Sequence, residues 1–177
     1  VLDYLSHSMR SFVNDKEDPR SIQDNTLQSI YIDDDATMWV GTYKNGVAYY
    51  SESTYKFRNI AIGDICTITE DHQGNYWCGS NDSGIVVYNP FTHSSRRYNT
   101  RNSALQSEVV VSSCCARDGS MWFGTYNGGL SHYQNGKFIT YRKKDGGLAN
   151  DNVWSIVEDK NGNIWIGTLG SGIQKLD

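Results

Sequence analysis

Proline is nearly absent: only Pro19 and Pro90 occur in 177 residues. That excludes collagen-like and polyproline architectures. No apolar run reaches 18 residues, so no stretch reads as a membrane-crossing helix. No excess of one charge exists either. Sixteen basic residues against 20 acidic ones leave −4, and the basic residues are scattered. Nucleic-acid binding would show as a basic stripe. The runs Arg96-Arg97 and Arg142-Lys143-Lys144 are short enough to be solvated loops. The four cysteines, Cys66, Cys78, Cys114 and Cys115, form no paired CxxC sets, which argues against zinc. A Cys66–Cys78 bridge is open if their strands pair. The four histidines, His7, His72, His93 and His132, lack ligand spacing. There is no GxSxG elbow and no phosphate-cradling loop. Asp33-Asp34-Asp35 lacks the spacing and the later Glu of a calcium loop. No catalytic residue, metal site or cofactor is therefore expected. No signal peptide is visible, and the chain begins at Val1, so the parent polypeptide is expected to extend upstream.

What is present is a repeat. Trp39, Trp77, Trp122 and Trp165 are spaced by 38, 45 and 43 residues. Two positions after each lies Gly41, Gly79, Gly124 or Gly167. A hydroxyl follows at Thr42, Ser80, Thr125 or Thr168. Seven positions after each Trp stands Gly46, Gly84, Gly129 or Gly172. A period near 40 signals a repeat architecture. Each unit has a β-branched or aromatic run before the Trp, a polar turn, the Trp strand, a Gly/Asn turn and a third strand. A fourth strand holds Phe57, Tyr98 or Phe138 to Tyr141. Such turns supply the positive φ that tight hairpins need. The pattern predicts an all-β protein, a β-propeller of four repeat units of four antiparallel strands. Each Trp should fill the wedge between neighbouring blades, with the Gly two residues on clearing room for packing. Val1–Phe12 matches Val87–Tyr98, with His7 opposite His93, so the chain opens late in a third strand. The expected division is 1–20 for the end of a preceding blade, 21–60, 61–101 and 102–144 for full blades, and 145–177 for an incomplete one. Trp154 lies off the pattern, where the other units have Gln28, Cys66 and Val111. In the third unit, Ala116 replaces Asp and Ser113 replaces Ile, which should weaken the local core.

Two strings carry a family likeness: NDNVWSIVEDKNGNIWIGTLGSGI from Asn150 and DNTLQSIYIDDDATMWVGTYKNGV from Asp24. The chain resembles the two-component regulator propeller repeat along nearly its whole length. The Asp-box of sialidases fits only in part, since Asp71 and Asp159 lie three residues before the Gly rather than two. The resemblance implies the periplasmic, ligand-sensing part of an inner-membrane hybrid histidine kinase, which in this family is a feature of Bacteroidetes. It implies a non-enzymatic chain, a kinase elsewhere in the parent, and an oligosaccharide as the sensed ligand. It also implies an arc of a larger ring of about seven blades and a parent that can be homodimeric. The rival architecture is a closed four-bladed ring, with Met9 to Asn14 adding a strand beside Lys175 to Asp177. The rival functions are a propeller-type lyase or glycoside hydrolase, and a protein-interaction scaffold. The resemblance supplies no binding residues. Read physically, the loops after the Trp strands offer Tyr43, Lys44, Asn45, Asn81, Asp82, Tyr126 and Asn127 as candidate ligand contacts. Arg20, Asn102, Lys143, Lys144 and Asp145 lie on the loops between blades. Tyr43 and Tyr126 should project at the same end of their blades and lead in binding.

Overall fold

Each unit folds as a sheet because its two turns are chemically specified. A computed structural model describes residues 2–3, 8–9, 11–51 and 57–176. β1 (Leu2–Asp3) and β2 (Ser8–Met9) form a hairpin. Blade 1 is β3 (Leu27–Ile32), β4 (Met38–Thr42), β5 (Val47–Tyr50) and β6 (Phe57–Ile60). Blade 2 is β7 (Ile65–Glu70), β8 (Tyr76–Ser80), β9 (Ile85–Asn89) and β10 (Ser94–Tyr98). Blade 3 is β11 (Val110–Cys115), β12 (Met121–Thr125), β13 (Leu130–Gln134) and β14 (Lys137–Tyr141). Blade 4 has β15 (Val153–Glu158), β16 (Ile164–Thr168) and β17 (Gly172–Leu176). All pairings are antiparallel, and the only helical turn among the described residues is Lys143–Asp145. The propeller expectation is met. In β1–β2, Leu2 lies opposite Met9 and Asp3 opposite Ser8. That register repeats Tyr88 opposite Ser95 and Asn89 opposite Ser94, as the match of Val1–Phe12 to Val87–Tyr98 expects. His7, which the sequence match aligns with His93, lies outside the described residues.

The turn before each Trp is organised by one carboxylate. Asp71 Oδ1 accepts the backbone N–H groups of Gln73 and Asn75, both at 2.9 Å, and Oδ2 accepts the Trp77 indole N–H at 2.7 Å. Asp33 and Asp159 hold Trp39 and Trp165 in the same way, at 2.8 and 2.9 Å. Burial pulls the Asp33 and Asp71 carboxyls upward, but these bonds outweigh it and hold both below the ordinary range. Ala116 has no such group. There the Trp122 indole donates to Ser120 Oγ at 3.1 Å, and Ser120 Oγ donates to Asp118 Oδ1 at 2.6 Å. The expected weakness at Ala116 is thus offset by a serine–aspartate relay. Ser113 is likewise partnered: its hydroxyl meets Thr67 Oγ1 at 2.7 Å and Thr69 Oγ1 at 2.5 Å, both on blade 2.

The core consists of the seams between blades. Trp39 packs with Ile62, Ile65 and Tyr76 of blade 2, Trp77 with Val110 and Phe123 of blade 3, and Trp122 with Val153 and Ile166 of blade 4. A Cβ at Gly79 would lie 2.7 Å from Val110 Cγ1, and one at Gly124 would lie 2.8 Å from Val153 Cγ1. Only glycine lets the next blade approach this closely. Trp165 departs from the expectation that every Trp is buried. It is half-buried, and a Cβ at Gly167 would meet only Ser155 of its own blade. No further sheet lies against that face among the described residues. At the other end, Ile30 and Ile32 of β3 are each 62% exposed. β17 pairs with β16 and with no second strand among the described residues. Phe12 packs instead on the blade 1 cluster around Ile22. The pairing that would close a four-bladed ring is therefore not made among these residues. Cys78 lies opposite Ile68, and all four cysteines are free thiols. Burial pushes the Cys78 thiol up to about 12. No helix among the described residues is long and apolar enough to cross a membrane.

Candidate functional site: the axial cleft

The first strand of every blade carries the same irregularity. Pairing with the Trp strand slips between Leu27 and Ser29, between Ile65 and Thr67, between Val110 and Ser112, and between Val153 and Ser155. One extra residue sits at each slip, as in a β-bulge, and a bulge re-aims its side chain. The extra residues are Gln28, Cys66, Val111 and Trp154. They are Trp154, which lies off the sequence pattern, and its three equivalents, and all four line one cleft of about 330 Å³.

A second ring of residues sits above them. The backbone N–H of Tyr43 donates to Thr26 O, Asn81 to Asp64 O, Tyr126 to Val109 O and Leu169 to Asn152 O, each at 3.0 Å. The residue four beyond each Trp is thereby pinned to the entry of its first strand. Tyr43 and Asn81 join the cleft wall together with Asp64 and Ile65. Tyr126 meets Trp154 edge to face, with centroids 6.4 Å apart. Tyr43 and Tyr126 are 40% and 43% exposed, and Trp154 is 52% exposed. The two tyrosines do project at one end of their blades, and neither ring is buried under a neighbouring loop. Burial, with Asp64 and Asp82 adding to it, raises the Cys66 thiol. A neutral thiol is a weak nucleophile.

The other candidates divide. Lys44 Nζ lies 5.4 Å from the Tyr43 ring centroid, at the rim. Asp82 is exposed and accepts the Ser83 hydroxyl. Asn45 is turned to structure: its amide donates to Gln23 O at 3.2 Å and its backbone N–H to Thr42 Oγ1. Asn127 holds a left-handed φ of 59°, and its N–H donates to Asn152 Oδ1. Arg20 pairs with Asp18 at 3.6 Å, and Asn102 donates to Arg97 O. The Lys143 N–H donates to Asp151 Oδ1, and Lys143, Lys144 and Asp145 form the short helical turn. None of these last residues lines the cleft. Gln28, Asp64, Ile65, Cys66, Val111 and Trp154 were absent from the candidate set. The signal for Gln28, Cys66, Val111 and Trp154 was the lack of a shared residue type at one repeat position.

Known proteins agree with this architecture. Residues 104–127 and 147–170 match the two component regulator propeller family model. Each stretch runs from the approach to a first strand through the Trp strand that follows. No curated protein matches the chain. Among solved structures, the chain is similar to the extracellular domain of BT3049 from B. thetaiotaomicron, described there as a hybrid two component system. Identity is 24%, the TM-score is 0.82, and the match covers 98% of this chain and 23% of that one. The extracellular domain of BT4673 from the same organism, also described as a hybrid two component system, gives 26% and a TM-score of 0.71. That match covers 89% of this chain and 22% of that one. This chain therefore spans less than a quarter of their length. The virginiamycin B lyase of Staphylococcus aureus, at 13% identity and a TM-score of 0.62, covers 89% of this chain and 58% of that one. It shares the fold alone.

Proposed function

We propose that this chain is a non-catalytic, ligand-sensing part of the periplasmic region of a hybrid two-component receptor, and that it recognises an oligosaccharide. The observation that carries the reading is the axial cleft. Four bulges aim unpatterned side chains at one place, and Trp154, Tyr43 and the nearby Tyr126 offer aromatic faces beside the amides of Gln28 and Asn81. Aromatic faces take the apolar side of a sugar ring, while amides and phenol tips take its hydroxyls. The likeness to extracellular sensor domains supports placement outside the cytoplasm and signal relay to a kinase beyond this chain. A homodimeric parent is compatible with that relay. No basic stripe suits nucleic acid, and no residue set here suits acid–base chemistry on a sugar.

Calorimetry with xylo-, malto- and galacto-oligosaccharides tests the reading, on this chain and on the whole periplasmic region. Binding without turnover, weakened at least tenfold by Trp154→Ala, is expected. Product formation would replace the sensor with an enzyme. Capture of a protein partner without sugar binding would replace it with a scaffold.

A further inference from the structure

The opposite end of the blades carries the pre-Trp turns, and a cleft opens there at each seam. The volumes are unequal: about 250 Å³ between blades 1 and 2, about 670 Å³ between blades 2 and 3, and about 370 Å³ between blades 3 and 4. Two repeat positions explain the difference. The first strand ends in Glu70 in blade 2 and Glu158 in blade 4. Glu70 accepts the Tyr31 hydroxyl at 2.6 Å, and Glu158 accepts the Arg117 backbone N–H at 3.0 Å. Blade 3 has Cys115 there, so a thiol facing the His72 backbone stands in place of the carboxylate. The residue before the Trp is Tyr76 in blade 2, whose hydroxyl crosses to Asp33 at 2.9 Å. Blade 3 has Met121, which offers Asp71 no hydroxyl. The bulk has moved inward instead: Cys78 in blade 2 becomes Phe123 in blade 3, fully buried. The turn end of this seam is left open.

The groups facing the opening define what could enter. The carboxylates of Asp71 and Asp118 are committed to their own turns. Arg96 lies over the Tyr98 ring at 4.7 Å and forms no ion pair among the described residues. Gln73 and Asn135 also line the cleft, and their side-chain amides have no partner among those residues. Two carboxylates against one guanidinium disfavour an anion, and the mostly polar lining disfavours an apolar guest. A cleft of this volume lies within the usual range for small ligands. We infer that the seam between blades 2 and 3 is a second binding site, distinct from the axial cleft, for a neutral mono- or disaccharide. Such a guest would span the turns of both blades, beyond the hydroxyl contact of Tyr98 with Tyr133.

The test uses calorimetry with cellobiose, maltose and lactose. Met121→Tyr with Phe123→Cys copies the packing of the first seam and should close the cleft. At least one of the sugars should bind the wild type. Its affinity should fall at least tenfold in this double variant, with circular dichroism unchanged. Arg96→Gln, at an exposed position, should weaken the same binding several-fold with circular dichroism unchanged. Trp154→Ala should leave it intact, which separates this site from the axial one. Binding that survives both the filled cleft and Arg96→Gln would overturn the inference. So would no binding of any of the three sugars, or binding abolished by Trp154→Ala alone.

Discussion

Replacing Trp122 and Trp165 by alanine, one at a time, separates seam packing from any intrinsic role of the Trp strand. Trp122 is 7% exposed. Its ring stacks on His132 at 4.0 Å with planes 16° apart, and its indole N–H donates to Ser120. An aromatic side chain of this kind buries about 150–250 Å². At about 25 cal/mol/Å² that corresponds to roughly 4–6 kcal/mol of transfer energy. Alanine keeps a small part of it, and measured Trp and Phe truncations cost about 3–5 kcal/mol. Trp165 has the equivalent strand and following glycine, its indole N–H donates to a carboxylate where that of Trp122 donates to a serine, and no following blade covers it among the described residues. Its loss should cost about half as much, roughly 2 kcal/mol by the same area scaling. Urea titration followed by far-ultraviolet circular dichroism measures both. Equal costs would refute the reasoning, because the seam would then not be what sets the contribution of each tryptophan. A near-neutral Trp122→Ala would remove the tryptophan set from the core altogether.

Burial lowers the His132 imidazole below its ordinary value, with Asp118 opposing in part. The unfolded chain then binds the extra proton, so stability should be full above about pH 6.5 and decline as pH falls toward the folded value. His132→Phe should flatten the dependence of the urea midpoint between pH 7 and 5; an unchanged slope would refute it. Asp71, held low by its turn, stabilises above the ordinary carboxylate range and loses that contribution as pH falls through its folded value. Asp71→Asn should cost about 1–2 kcal/mol at neutral pH and reduce the acid sensitivity; full stability with unchanged acid sensitivity would show that the turn does not depend on the charge. Tyr43→Ala and Tyr126→Ala remove exposed rings and should shift the melting temperature little while weakening oligosaccharide affinity. Lost stability with intact affinity would assign both rings to structure.

The fold was legible because its determinants recur at fixed offsets within each repeat. The Asp and the second glycine act on neighbours a few residues away, while the Trp and the first glycine face the next blade from the same place in each of the first three blades. Gly46, Gly84 and Gly129 illustrate this, with φ of 79°, 78° and 81° in equivalent turns. The parts that were not legible depend on two repeats at once. Ser113 looks like a defect in its own strand, yet its partners Thr67 and Thr69 stand on the preceding blade. The bulges hide for a different reason. Strand alternation predicts which face a side chain takes, and one inserted residue breaks that count without leaving a mark in composition. Trp154 was visible as an exception but not as an axial residue. Tyr43, Asn81 and Tyr126 were accessible to sequence reasoning because the turn they follow is regular.

The seams show how a repeat protein can keep its packing rule and still vary its surface. Glycine two residues after each Trp fixes how closely the blades approach, so bulk can be redistributed but not simply added. Tyr76 with Cys78 puts the large side chain near the turns; Met121 with Phe123 puts it near the centre of the seam. Either arrangement covers its Trp: Tyr76 lies 4.0 Å from Trp39, and Phe123 lies 5.6 Å from Trp77. The core is filled both ways, while the outer cleft differs in volume more than twofold, about 250 against 670 Å³. Cross-seam bonds follow the same logic. Tyr31 with Glu70, and Arg117 with Glu158, tie blade 1 to blade 2 and blade 3 to blade 4 at this end. Cys115 puts a weaker thiol acceptor in place of that carboxylate at the middle seam, where the hydroxyls of Tyr98 and Tyr133 meet at 3.3 Å. Two positions per blade therefore change how the turn end of a seam is filled and bonded, and neither position touches the pattern by which the repeat is recognised.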